Sequence, residues 1–240
     1  MTEKIFYDDA YARECEARVL EINDRGGIVL DRTIFYATSG GQPGDAGLIE
    51  IEGAGEVPVA ITVYGDDKKQ IVHVPPEGTS LPEPGSTVLC KLDWDRRHKH
   101  MRVHTCMHLL CAVMPHAVTG GQIGEDSGRL DFDIQDATLA DKEHITTELN
   151  RLIREDHGVT QRWITDAELE AQPDLVRTMA VKPPMGTGHV RLVDIGNGEV
   201  DLQPCGGTHV LSTGEIGEVF VQKIENKGRQ NRRVRVAFVS

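Results

Sequence analysis

Four residues able to bind a soft divalent metal fall into two short clusters. His104 and His108 form an H-x-x-x-H pair, and much further along the chain Cys205 and His209 close a C-G-G-T-H segment. On a helix, an i,i+4 spacing puts both imidazoles on one face about 5–6 Å apart, close enough to share one ion. Gly206 and Gly207 allow the backbone to turn tightly between thiolate and imidazole. Taken alone, the His pair equally describes a helix with half-buried imidazoles, and the second cluster a strand-joining turn with a buried Cys. Together they offer three neutral nitrogens and one thiolate. That set suits one Zn2+ per chain and leaves it a formal charge of +1. Four protein ligands close a structural site, whereas three plus water leave room for chemistry; the sequence leaves both open and assigns no catalytic residue outside the metal site.

Two further features bear on binding. Residues 35–47, FYATSGGQPGDAG, interleave Gly with the hydroxyl of Thr38, the amide of Gln42 and a carboxylate around Gly40 and Gly41. Such a segment exposes backbone N–H groups to a ligand, although a cluster of β-turns has the same composition. No Gly-Lys-Ser/Thr follows, so it is not a phosphate-binding P-loop. Near the carboxyl end, Lys227, Arg229, Arg232, Arg233 and Arg235 surround Gly228 and Asn231, a pattern expected of a hairpin tip that meets phosphates or of one that is merely solvated. Arg96, Arg97, Lys99 and Arg102 precede the His pair.

The elements that must position these groups divide the chain in two. Residues 14–93 read as short alternating or β-branched runs broken by turn residues, an all-β small barrel or sandwich, with the Pro-rich 75–86 stretch as an internal loop. From Trp94 the texture changes to a Gly-free helical pattern that ends at Pro115, and a second helix is expected at about 137–156. Strands are expected at 159–165, 190–195, 217–224 and 233–239. Helices and strands mixed without βαβ alternation predict an α+β second domain, with domains at 1–93 and 94–240. The chain has 240 residues, 26 Lys+Arg against 38 Asp+Glu, a formal net charge of -12, 39% hydrophobic and 5% aromatic residues. This excludes disorder and a collagen-like repeat. No apolar run approaches membrane-spanning length and no signal core stands at the start, so a cytoplasmic protein without membrane contact is expected. Five scattered Cys resemble no secreted disulfide framework.

The three motifs in this order and at these separations resemble the AlaX family, freestanding relatives of the alanyl-tRNA synthetase editing domain, a domain also similar to the editing domain of threonyl-tRNA synthetase. The likeness runs through FYATSGGQPGDAG, HTCMHLL, GRLDFDI, VRLVDI, CGGTHV and NKGRQNRRVRV, and the length places it with the medium-length class, without the long carboxyl-terminal extension. It implies a β-barrel-like amino-terminal domain with the Gly-rich loop, followed by a two-layer α+β editing domain. It also implies hydrolysis, in trans, of the ester between a wrong amino acid and tRNA(Ala), with His104, His108, Cys205 and His209 as zinc ligands. Thr38, Gly40, Gly41, Gln42, Gln122, Gly206, Gly207 and Thr208 become expected substrate contacts. Arg97, Lys227, Arg229, Arg232, Arg233 and Arg235 become expected contacts to the acceptor stem of the mischarged tRNA(Ala). Where the family usually has Gln-x-Gly-Ser, this chain has Gln122-Ile123-Gly124-Glu125, a carboxylate in place of a hydroxyl. Cys106, on the opposite side of the helix from His104, is expected in the core.

A site that holds a substrate hydroxyl by hydrogen bonds can reject the analogue lacking it by about 10^4 to 10^5, against roughly 10 to 200-fold for a methyl-sized difference. Ser-tRNA(Ala) is therefore the better-defined target and Gly-tRNA(Ala) the secondary one, with Thr38 the expected partner of the serine hydroxyl. Two rivals remain: a zinc-stabilised tRNA-binding module without catalysis, and a zinc hydrolase of small esters or amides. The second is disfavoured because no HExxH-type general base accompanies the His pair.

Overall fold

The computed structural model describes residues 2–53, 55–66, 70–134, 141–176, 188–228 and 231–239. A short strand, β1 (Glu3–Lys4), and one turn of helix, α1 (Ile5–Asp8), lead into β2 (Glu14–Ile22), β3 (Ile28–Leu30), β4 (Arg32–Thr33), β5 (Gly47–Ile51), β6 (Gly55–Val59), β7 (Ile61–Tyr64), β8 (Ile71–Val74) and β9 (Thr87–Leu92). Seven of these strands make a barrel-like antiparallel sheet in the order β6-β5-β9-β2-β3-β8-β7. Alternation explains its inside: along β2, Ala17 and Val19 are buried while Glu16, Arg18 and Leu20 face out, and the inward side chains join Leu30, Ile34, Phe35, Ile49 and Val88 in one core.

A polar residue in this unit makes a pH prediction. His73 is fully buried, with Nε2 2.8 Å from the Thr33 hydroxyl and Nδ1 3.0 Å from the Ile28 carbonyl. Burial lowers its pKa from 6.5 to about 4, against the opposing pull of the Ile28 carbonyl. As pH falls below 6.5 the unfolded chain takes up a proton that the folded chain refuses. The stability present above pH 6.5 is therefore lost progressively down to about pH 4, by up to about 3 kcal/mol. Denaturant midpoints for His73→Gln should lack this part of the slope between pH 6.5 and 5; parallel profiles for both proteins would refute it.

The chain then enters α2 (Trp94–Val113) and continues through β10 (Val118–Ile123), β11 (Ser127–Asp133), α3 (Lys142–Arg154), β12 (Val159–Thr165), α4 (Asp166–Glu170), β13 (His189–Ile195), β14 (Asp201–Pro204), β15 (Val219–Lys227) and β16 (Asn231–Phe238). Two antiparallel sheets result, β10-β11-β16-β15 and β12-β13-β14. The architecture is α+β. Contacts divide the chain into two compact units, Met1–His98 and Lys99–Ser240, at a seam inside α2; the expected boundary at 93/94 is the start of that helix. Arg97 belongs with the first unit because its guanidinium bonds to Asp45 and to the carbonyls of Ala10 and Ile34.

In the second unit α2 is buried from Val103 to Cys111, as expected of a helix without a solvated stripe. A Cβ on Gly128 of β11 would collide with Val103 and Met107 of α2, so the helix lies close on that sheet. α3 begins at its cap Asp141, which accepts from the N–H groups of Glu143 and His144, and docks on β15 through Asn150, whose amide bonds both ways with the Val219 backbone. Part of the expected 137–156 helix, 137–140, lies outside the described residues.

Candidate metal centre

α2 places His104 and His108 one turn apart, with ring centroids 5.4 Å from each other. The turn after β14 brings Cys205 and His209 against them: the His209 ring lies 4.3 Å from that of His104 and 4.7 Å from that of His108. Cys205 Sγ is 3.4 Å from His104 Nε2 and 3.3 Å from His209 Nε2. One ligand atom from each of the four residues lies within 4.8 Å of every other. Three nitrogens and one sulfur converging at such range, in a buried place, fit a single metal ion that accepts soft and borderline donors.

The surrounding groups set each imidazole. His108 Nδ1 faces Asp201 Oδ2 at 2.8 Å, and Gln203 Nε2 donates to the same oxygen at 2.8 Å. A carboxylate there fixes the proton on Nδ1 and leaves Nε2 as the nitrogen that could bind a metal. The Thr105 hydroxyl donates its one proton to the Met101 carbonyl and lies 3.2 Å from His209 Nδ1. His209 must therefore donate through Nδ1, which presents the Nε2 lone pair towards Cys205. Burial alone would raise the Cys205 thiol, but the imidazoles of His104 and His209 overcome it and hold the pKa well below the usual thiol value. Burial and the neighbouring His104 hold the His209 pKa well below its ordinary value. His108 moves up despite its burial, because Asp201 and Cys205 stabilise its cation. The surroundings therefore favour the thiolate form of Cys205. Arg191 holds the turn itself, donating from Nη1 to the carbonyls of Cys205 at 3.0 Å and Gly207 at 2.8 Å.

Comparison with known proteins bears on this centre. Residues 190–235 match the model of the threonyl and alanyl tRNA synthetase second additional domain, and residues 4–96 that of the class II (A) tRNA synthetases. The alanyl-tRNA editing protein AlaX-M of Methanosarcina acetivorans is 36% identical, covering 98% of both chains. The chain belongs to the AlaX-M family. Another AlaX-M, from Pyrococcus horikoshii, is 34% identical over 98% of this chain and 96% of its own. The alanine–tRNA ligase of Pyrobaculum neutrophilum is 35% identical over 93% of this chain but only 25% of its own length.

In this AlaX-M family member several residues expected to touch substrate have other work. Gly40 and Gly41 adopt φ of 56° and 84° between Ser39 and Gln42, whose backbones bond to each other both ways. That is a two-residue hairpin turn that needs positive φ at both centres. Gln42 is fully buried. A Cβ on Gly44 would fall 1.8 Å from the Thr62 carbonyl oxygen. The loop's glycines thus answer to turn geometry and close approach. Thr38 is exposed, and its hydroxyl donates to the Thr62 carbonyl and accepts from the Gly44 N–H, leaving one lone pair.

The structure places the other expected contact residues as follows. Gln122 is exposed and stands opposite Arg129 on the face of the sheet turned away from α2, where its amide oxygen accepts from Arg129 Nε at 3.2 Å. The Gly207 N–H donates to Cys205 Sγ at 3.4 Å. Thr208 is fully buried. Arg97 is fully buried as well and offers nothing to a phosphate, because its guanidinium is bound within the first unit. Gly206 is half-buried and Glu125 exposed. Cys106 lies in the core, where burial pushes its thiol up to about 12.

The basic segment becomes the β15–β16 hairpin. Arg233 and Arg235 are half-buried, and Lys227 is exposed. Arg233 grips Asp131 through two bonds of 2.7 Å, with Arg129 on the same carboxylate. Arg232 turns to the inner face and is 7% exposed, which takes it away from any backbone on the outer face. Arg229 lies outside the described residues. Sequence reasoning missed Thr105, Asp201, Gln203 and Arg191; the alternation Asp201, Gln203, Cys205 along one strand face was the signal available for two of them.

Proposed function

We propose that this chain is a freestanding aminoacyl-tRNA deacylase that hydrolyses the ester of mischarged tRNA(Ala), chiefly Ser-tRNA(Ala) and also Gly-tRNA(Ala), and spares Ala-tRNA(Ala). The observation that carries the reading is the convergence of His104, His108, Cys205 and His209 in a chain that matches named alanyl-tRNA editing proteins from end to end. The metal is one Zn2+, favoured by a thiolate and three imidazoles over the all-oxygen sets of hard cations. When bound it supplies a fixed positive centre able to hold and polarise the aminoacyl end. The chain's own residues do the rest: Asp201 and Thr105 orient the imidazoles, and Arg191 holds the 205–207 turn. An ester is already activated, so placing water and stabilising an oxyanion is the main task.

The acceptor stem would meet Arg233, Arg235 and Lys227 on the second unit. Thr38 enters as the serine partner by the family resemblance and by its remaining lone pair. No helix among the described residues is long and apolar enough to cross a membrane.

The deciding experiment offers purified protein Ser-tRNA(Ala), Gly-tRNA(Ala) and Ala-tRNA(Ala). The expected result is release of serine fastest, glycine more slowly, and alanine not at all. If none is cleaved while tRNA binds with a steep salt dependence, the chain is a tRNA-binding module and the deacylase reading fails.

A further inference from the structure

Trp163 is 49% exposed, an unusual position for one of the two indoles of the chain, and its place in the sheet is informative. In β12 it stands directly opposite Arg191 of β13. Arg191 in turn faces Cys205, whose N–H donates to the Arg191 carbonyl at 3.1 Å just beyond the last pair of β13 and β14. Directly opposed residues on neighbouring strands turn their side chains to one face. Trp163, Arg191 and Cys205 therefore form one row across the sheet. Strands lie about 4.8 Å apart, so the two ends of the row are roughly 10 Å apart along the backbone.

The face is the one that carries the metal centre. Asp201 and Gln203 alternate with Cys205 along it, and both reach His108 Nδ1, at 2.8 and 3.1 Å. Between the indole and the thiolate stands the Arg191 guanidinium, bound to the carbonyls of Cys205 and Gly207 and to the Gln161 side chain, which shares the Trp163 face of β12. A flat aromatic surface, partly open to solvent, thus sits one strand beyond the group that fixes the ligand turn.

We propose that Trp163 is the stacking platform for the base of the 3′-terminal nucleotide of the aminoacyl-tRNA. The inference rests on the deacylase reading. The ester to be cleaved hangs on the ribose of that nucleotide, so when the ester lies at the metal centre its base lies one nucleoside away, the span that separates Cys205 from Trp163. Every base has a π-face, and an exposed indole holds one without reading its sequence, which suits an end common to all tRNAs. The ring sits on a strand, so it is presented in a fixed orientation and not on a mobile loop.

The test compares uncharged tRNA(Ala) carrying its terminal adenosine with the same tRNA lacking it, on wild-type protein, Trp163→Ala and Trp163→Phe, after metal content and thermal midpoint are shown to be unchanged. Removing a stacking ring costs about 5- to 150-fold in binding. Trp163→Ala is expected to lose that much on intact tRNA and nothing on the truncated one, and Trp163→Phe to recover most of it. Equal losses on both tRNAs, or no loss on either, would overturn the platform. Should Trp163→Ala not fold, a Trp94→Phe protein leaves Trp163 as the sole indole: its emission is expected to fall on titration with intact tRNA and not with truncated tRNA, and identical responses count against the proposal. A wild-type protein that deacylates Ser-tRNA(Ala) but shows no dependence on Trp163 removes only the platform, whereas one that neither binds nor cleaves any tRNA removes the reading beneath it.

Discussion

Cys205→Ala is expected to lose bound metal and, with it, at least about 100-fold in the rate of Ser-tRNA(Ala) hydrolysis, since even loss of a group that only orients a ligand costs about 10 to 100-fold. The sulfur is the hub of the cluster, within 3.4 Å of both His104 Nε2 and His209 Nε2, and it is the soft donor that separates this set from one for a hard cation. Its thiolate form, favoured by the neighbouring imidazoles, also supplies the only negative charge among the four ligands. Asp201→Asn should be graded below it. The amide keeps the shape beside His108 Nδ1 but removes the charge, so metal affinity should fall by about 10 to 100-fold while metal at saturation restores most of the activity. Metal determination after dialysis against a graded chelator series, alongside single-turnover deacylation, separates the two. Full activity in metal-free Cys205→Ala would leave the cluster without a part in the chemistry.

The residues of the His/Cys cluster were legible in the sequence and the residues that support them were not, for a physical reason. His and Cys are few, and i,i+4 on a helix or C-x-x-x-H across a Gly-Gly turn is a spacing with geometric meaning. Asp201 reads as one more polar residue of an acidic chain until the pairing of β13 with β14 puts it on the face of Cys205. Arg191 reads as the charged position of an alternating strand, and only the register shows its guanidinium among turn carbonyls. The helix at Trp94–Val113 and the strand at Val159–Thr165 were readable because Pro and Gly punctuate them. The Gly-rich loop carried two readings, and φ at Gly40 and Gly41 with the close approach at Gly44 accounts for its composition through the fold. Basic residues were read by their clustering, which says nothing about which way each side chain points: Arg102 lies over the Phe238 ring at 4.0 Å, and Arg232 turns inward.

Arg97 is the sharpest instance, and it leads to the largest expected loss of stability. Its side chain and that of Asp45 are 0% and 1% exposed, and the Asp45 carboxylate also accepts the Tyr36 N–H at 2.6 Å. Asp45→Ala would leave the guanidinium buried with the carbonyls of Ala10 and Ile34, at 2.9 and 2.6 Å, but without a counter-charge. Breaking such a pair from one side costs about 3–5 kcal/mol, a fall in thermal midpoint of roughly 6–20 °C for a chain of this size. Arg97→Met combined with Asp45→Leu removes both charges and should be more stable than Asp45→Ala alone; a double variant as weak as the sum of its single changes would show that the pair is not coupled. The same variants separate fold from recognition. Neither group reaches solvent, so a protein with both charges removed that remains folded should keep the wild-type salt dependence of tRNA binding. Arg235→Ala, which removes a half-exposed charge on the hairpin, should lower that slope by about one phosphate contact.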